Sequence, residues 1–253
     1  LAHSDRALER AGNAMVKQRP LLVSEPRLVA GRIRGGITTR RGFPSATEPG
    51  HDDPARAEGR RILARLIGNA ETPMAWLRQV HGAGVIQVDR GGLAGSADGL
   101  VTTRSGLALL VAVADCGPVL LWDSTNEVIA AAHAGWRGAV AGIVEATIEA
   151  MCGAGAGREQ IRAWIGPCIG VEAFEVGEEV ASQFPDQCVD RSRAKPHVDL
   201  SLAIRGRLLE AGVGPDRIRT AAQCTFGMAD RYWSYRRDGG ICGRQFAWIV
   251  RST

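Results

Sequence analysis

The segment Leu107–Ala114, LALLVAVA, is apolar at every position. A half-exposed strand alternates apolar and polar side chains, so an unbroken apolar run predicts a strand covered on both faces, and with it a layered fold. The run is far too short for a membrane helix, which needs about 20 such residues. Further strands are expected at 28–39, 74–80, 85–88, 99–102, 119–122, 128–132, 161–165 and 246–250, between turn-forming residues. Helices are expected at 54–67, 136–151, 175–184 and 199–211. Ile62, Leu63, Leu66 and Ile67 mark the buried side of the first. Val140, Ile143, Val144, Thr147, Ile148 and Met151 mark that of the second, and Asp199 is placed to cap the last.

At 253 residues the chain can bury one full-sized core, and we read residues 27–253 as one compact domain behind an N-terminal extension, 1–26. Hydrophobic and charged fractions of 45% and 23% are those of an ordinary globular protein. The formal charge of +4 is mild and Arg-rich. That balance suits small anions such as phosphate. No basic block or aromatic-basic alternation marks a nucleic-acid groove, so neither nucleic acid nor membrane is an expected partner. The first residues lack the apolar core of a signal peptide, which gives a cytoplasmic expectation. Six cysteines, at 116, 152, 168, 188, 224 and 242, form no CxxC pair, which fits reduced thiols. Five read as structural, Cys168 and Cys224 among them as packed thiols.

Chemistry concentrates in three short segments: Gln79-Val80-His81-Gly82, Ala114-Asp115-Cys116-Gly117-Pro118 and His133-Ala134-Gly135-Trp136-Arg137-Gly138. Two imidazoles and a thiol beside predicted strand ends suit a transition metal with an open coordination position, since three protein ligands leave a fourth for water. Their wide separation permits three unrelated packed residues equally well. The same donors with a weak axial Met would make a copper site, but no Met stands near these segments. Arg137, at the expected start of helix 136–151, is a candidate phosphate ligand; the alternative is an arginine lying over Trp136. Arg40 and Arg236 are further candidate anion ligands, with surface salt bridges as the alternative. Asp98 and Asp115 are placed to move protons, as a catalytic Asp115 would, or to orient ligating imidazoles; Asp98 is also a candidate substrate ligand, with a turn aspartate as the alternative. No Walker A, His-Glu-x-x-His or Gly-x-Ser-x-Gly sequence is present.

Taken in order, QVHG, ADG, ADCGPVLL, AHAGWRG, IGPCIG, FEVG, DL, CTF and SYRRDG span nearly the whole chain. This order resembles the YfiH-like, or laccase-domain, family of purine nucleoside phosphorylases and peptidoglycan editing factors. The resemblance implies a single α/β domain of mixed β-sheet layers flanked by helices. It implies His81, Cys116 and His133 as ligands of one metal, usually zinc, with copper the alternative. It also implies phosphorolysis of adenosine, inosine and S-methyl-5'-thioadenosine, with inorganic phosphate as co-substrate, and hydrolytic deamination of adenosine. Hydrolysis of a wrong amino acid from a muropeptide precursor and copper-dependent polyphenol oxidation are the alternative activities. Two departures stand out: Ala46-Thr47-Glu48-Pro49-Gly50 replaces a Ser-Leu-Asn-like segment, and Phe174 replaces the usual Tyr before Glu-Val-Gly.

Overall fold

The computed structural model describes residues 22–23, 32–44, 54–68, 70–240 and 242–252. The departure at 46–50 lies outside these residues, as does most of the stretch 1–26. Of that stretch, Leu22–Val23 forms a strand, β1, paired with the next.

The strands follow as β2 (Ile33–Thr38), β3 (Met74–Arg78), β4 (Val85–Gln87), β5 (Gly92–Ser96), β6 (Gly99–Thr102), β7 (Ala108–Val113) and β8 (Gly117–Asp123). Then come β9 (Val128–Ala134), β10 (Arg162–Ile165), β11 (Val189–Asp190), β12 (His197–Val198), β13 (Ile218–Thr220) and β14 (Gln245–Arg251). The helices are α1 (Pro54–Ile67), α2 (Trp136–Ala141), α3 (Ile143–Gly153), α4 (Glu178–Ala181), α5 (Leu200–Glu210) and α6 (Tyr235–Asp238).

Two six-stranded mixed sheets form, in the orders β1-β2-β14-β7-β3-β5 and β13-β10-β8-β9-β6-β4. They pack face to face, and helices cover both outer faces. The apolar run explains why. Leu109, Val111 and Val113 of β7 point into the inter-sheet core with Leu120 and Trp122 of β8 and Ile129 of β9. Ala108 and Leu110 point the other way, into a second core with Leu63, Ala64 and Ile67 of α1. The outer face of the second sheet packs against Ile143, Val144, Ile148 and Met151 of α3 and Ile204 and Leu208 of α5. Period two thus divides the central strands β7, β8, β9 and β14 between two cores, each large side chain adding about 1.5–3 kcal/mol on burial.

One expected helix divides. Gly142 takes φ 90°, a left-handed conformation that suits glycine, and splits 136–151 into α2, of six residues, and α3. The helix expected at 175–184 shrinks to α4. Asp199 caps α5 as expected, accepting from the Leu202 N–H at 2.8 Å.

Candidate metal centre

The chain crosses from the first sheet to the second three times in succession, between β3 and β4, β5 and β6, and β7 and β8. His81 lies in the first crossing, Asp98 in the second and Cys116 in the third. His133 stands near the end of β9, opposite Pro118 of β8. Residues spread over 53 positions of sequence therefore meet where the sheets exchange strands.

One potential ligand atom from each of His81, Cys116 and His133 lies within 4.8 Å of the others, the only such cluster among the described residues. The two imidazole rings meet edge to face with centroids 4.8 Å apart. His133 is buried, Cys116 half-buried and His81 exposed, so the cluster opens on one side. Burial alone would raise the Cys116 thiol, but the adjacent His133 and His81 overcome this and bring its pKa down to about 6. Against its own burial, His133 is pushed up to about 9 by Cys116 and Asp98. A thiol that ionises this readily presents the thiolate that soft transition metals need.

Asp98 builds the support. It is fully buried, and its carboxylate accepts from the N–H groups of Val80, His81 and Gly82 at 3.2, 3.0 and 2.7 Å. His133 Nδ1 donates to the same carboxylate at 2.8 Å, which leaves Nε2 to ligate. Burial opposes its ionisation, yet the His133 and Gly82 hydrogen bonds hold the carboxyl below its ordinary pKa. His81 is also held at φ 59°, a left-handed conformation that non-glycine residues adopt only when their surroundings enforce it. The Asp98 oxygens are thus committed to these four hydrogen bonds, which leave them turned away from the pocket where a substrate contact was expected.

Asp115 takes φ 80° beside Cys116. Its carboxylate accepts from Thr225 Oγ at 2.6 Å, Ser234 Oγ at 2.9 Å and the Arg236 N–H at 2.7 Å. It ties the Cys116 crossing to two distant loops. Gln79 does similar work nearby, its amide pairing with both backbone groups of Ala112 at 2.8 Å.

A pocket of about 470 Å³ opens over the cluster. Its lining includes His81, Cys116, His133 and Asp115, with Arg137 and Arg236, so six of the eight expected site residues share one cavity. Asp98 stands behind it. Arg40 stands elsewhere: its Nη1 donates to the Ala229 carbonyl at 2.6 Å and its guanidinium lies 4.2 Å from the Trp233 ring centroid. It secures that loop instead of facing an anion in the pocket. Arg137 lies 4.3 Å over Trp136, as the alternative reading required, yet also lines the pocket and makes no hydrogen bond to the described residues. Its helix, α2, is only six residues long, so the expected contribution of a helix dipole falls away and the side chain alone remains. The lining also includes Trp136, Phe174, Tyr235, Arg56 and Arg244. Of these, Phe174 is the position where this chain lacks the hydroxyl of the family's usual Tyr. Among the described residues no methionine (Met74, Met151 or Met228) lines the cavity to serve as the axial ligand of a copper site.

Gly135 shows how closely the centre is fitted. A Cβ there would lie 2.8 Å from Cys116 Sγ and 3.4 Å from His81 Nδ1. Gly135→Ala is therefore expected to displace the Cys116 sulfur and weaken metal binding about 10- to 100-fold while the protein stays folded. Competition with a chromogenic chelator would measure it, and unchanged affinity would show that this donor does not hold the ion.

The family described as multi-copper polyphenol oxidoreductase laccase matches residues 39–252. A purine nucleoside phosphorylase of Deinococcus radiodurans is 41% identical, the match covering 84% of this chain and 87% of that protein. Adenosine deaminase RL5, from an unknown prokaryotic organism, is 36% identical over 79% of this chain and 84% of its own length. The crystal structure of the hypothetical protein YfiH from Bacillus licheniformis superposes with a TM-score of 0.85 at 25% identity, covering 92% of this chain and 97% of that one. The chain belongs to the YfiH-like, laccase-domain family.

Proposed function

We propose that this protein is a zinc-dependent purine nucleoside enzyme: it cleaves adenosine, inosine and S-methyl-5'-thioadenosine with inorganic phosphate, and it deaminates adenosine with water. The observation that carries the reading is the open His81–Cys116–His133 cluster at the floor of a pocket lined by arginines and aromatic rings. The names of the Deinococcus radiodurans and RL5 relatives support the two reactions.

His81, Cys116 and His133 would hold the ion, and the borderline-soft mixture of two imidazoles and a thiolate fits zinc. Bound zinc supplies Lewis-acid chemistry and lowers the pKa of water to about 7. Asp98 keeps His133 in one orientation and shapes the His81 turn. Trp136 and Tyr235 offer faces against which a purine lies. Arg137, stacked on Trp136, without a side-chain hydrogen bond among the described residues and adjoining the cluster, binds phosphate and faces charge developing in the transition state. Asp115 holds the thiol loop in position through its three hydrogen bonds.

The two reactions differ in the reagent. Inosine is expected to form from adenosine in phosphate-free buffer, and hypoxanthine from inosine only when phosphate is added. Product chromatography under both conditions checks this. Failure of both, with release of an amino acid from a muropeptide precursor, would transfer the site to the peptidoglycan-editing reading. Arg137→Ala is expected to raise the KM for phosphate about 10- to 100-fold and leave deamination nearly unchanged, the loss of one charge-assisted contact worth roughly 1.5–3 kcal/mol. An unaltered phosphate KM would remove Arg137 from that role.

A further inference from the structure

Outside the centre, two of the remaining thiols are brought side by side. Strand β10 pairs with β13 in parallel, Ile165 opposite Thr220. Pairing resumes beyond Pro167 as a backbone bridge between Cys168 and Cys224, with the Thr225 N–H donating to the Cys168 carbonyl at 3.0 Å. The second strand accommodates one extra residue on the way, where Ala222 takes φ 49°. Directly opposed residues of neighbouring strands sit about 4.8 Å apart and project to the same face. That separation falls inside the roughly 4.4–6.8 Å Cα range of disulfides.

The two thiols are not equivalent. Cys168 is buried, 4% exposed, and its thiol is pushed well up, first by that burial and then by the nearby Asp199 carboxylate. Cys224 is half-buried and reaches solvent. Its sulfur accepts from the Gly170 N–H at 3.2 Å and the Gly227 N–H at 3.4 Å, which fix it beside the bridge.

We infer that Cys168 and Cys224 are a site of reversible oxidation, forming a disulfide when the protein meets hydrogen peroxide. The Cys224 sulfur attacks one peroxide oxygen and the O–O bond breaks. A sulfenic acid remains, and the departing hydroxide leaves as water with the thiol proton. The Cys168 sulfur then attacks Cys224 sulfur, the S–O bond breaks, and a second water departs with the Cys168 proton. Two thiols have lost two electrons and the peroxide has gained them. The bond would clamp the wall behind the metal ligand. Ile169 donates its N–H to the Asp115 carbonyl at 2.9 Å and Thr225 donates to the Asp115 carboxylate, and Asp115 immediately precedes Cys116.

The test is a linkage map of the intact protein: hydrogen peroxide, removal by catalase, alkylation in denaturant, digestion and mass spectrometry. A peptide pair joined through Cys168 and Cys224, released by dithiothreitol, is the expected result. Cys224→Ser should abolish it. Cys168→Ser should instead leave Cys224 as a sulfenic acid trapped by dimedone. Linkage of either cysteine to Cys116, or full alkylation of both after peroxide, would overturn the inference. The wild-type map decides even where a variant fails to fold, and it involves no turnover, so its outcome is separate from that of the nucleoside reading.

Discussion

Replacing Cys116 with alanine is expected to lower zinc content from about one ion per chain to below about a tenth, because two imidazoles alone bind the ion weakly. Adenosine deamination should fall on the order of 1000-fold, since Lewis-acid stabilisation supplies several kcal/mol and each 1.4 kcal/mol or so is tenfold in rate. The fold should survive. Cys116 is a partly buried residue at the margin of the inter-sheet core, and although His133 and His81 lose a partner in its sulfur, His133 keeps its hydrogen bond to Asp98. Elemental analysis beside a circular dichroism melt separates the two effects. Full zinc occupancy in the variant would remove Cys116 from the ligand set.

Asp98→Ala should do the opposite damage, to stability first. The substitution strands the N–H groups of Val80, His81 and Gly82 and leaves buried His133 without its carboxylate partner. Breaking a buried charged network of this kind costs about 3–5 kcal/mol, which for a chain of this size lowers Tm by roughly 6–20 °C. Asp98→Asn keeps the size and one acceptor oxygen. It should fold, with metal affinity reduced about 10- to 100-fold, the usual effect of losing the partner of a ligating histidine. A melt of Asp98→Ala within 2 °C or so of wild type would contradict the role given to this carboxylate.

Local patterning made much of the layered fold legible. The apolar run at β7 and the Asp199 cap each follow from interactions within a few residues, whereas the α1 stripe holds only in part: Leu63 and Ile67 are buried, with Ala64, but Leu66 is 41% exposed. Strand β5 did not show itself because Gly92-Leu93-Ala94-Gly95-Ser96 has almost no apolar face, and its place is secured by pairing with β3. The break at Gly142 was hidden because apolar residues keep helical spacing on both sides of it. Short β13 depends on its parallel partner β10.

The site divides the same way. Residue types and strand-end placement pointed to His81, Cys116 and His133, but their meeting depends on successive crossings between sheets, a long-range property that spacing does not encode. Asp98 read equally well as a proton carrier, a substrate ligand or an orienting group, and only its four hydrogen bonds separate these. Arg40 has the chemistry of an anion ligand, yet the Ala229 carbonyl, 189 positions away, and the Trp233 indole of the same loop claim it.

The most direct test is reconstitution. Protein stripped with a chelator and dialysed should turn adenosine over at a background rate. Zinc added back should restore deamination in proportion, with a break at about one ion per chain, and Cys116→Ala should not respond. Full deamination by metal-free protein, or recovery that continues rising well past one equivalent, would contradict a single catalytic ion held by His81, Cys116 and His133.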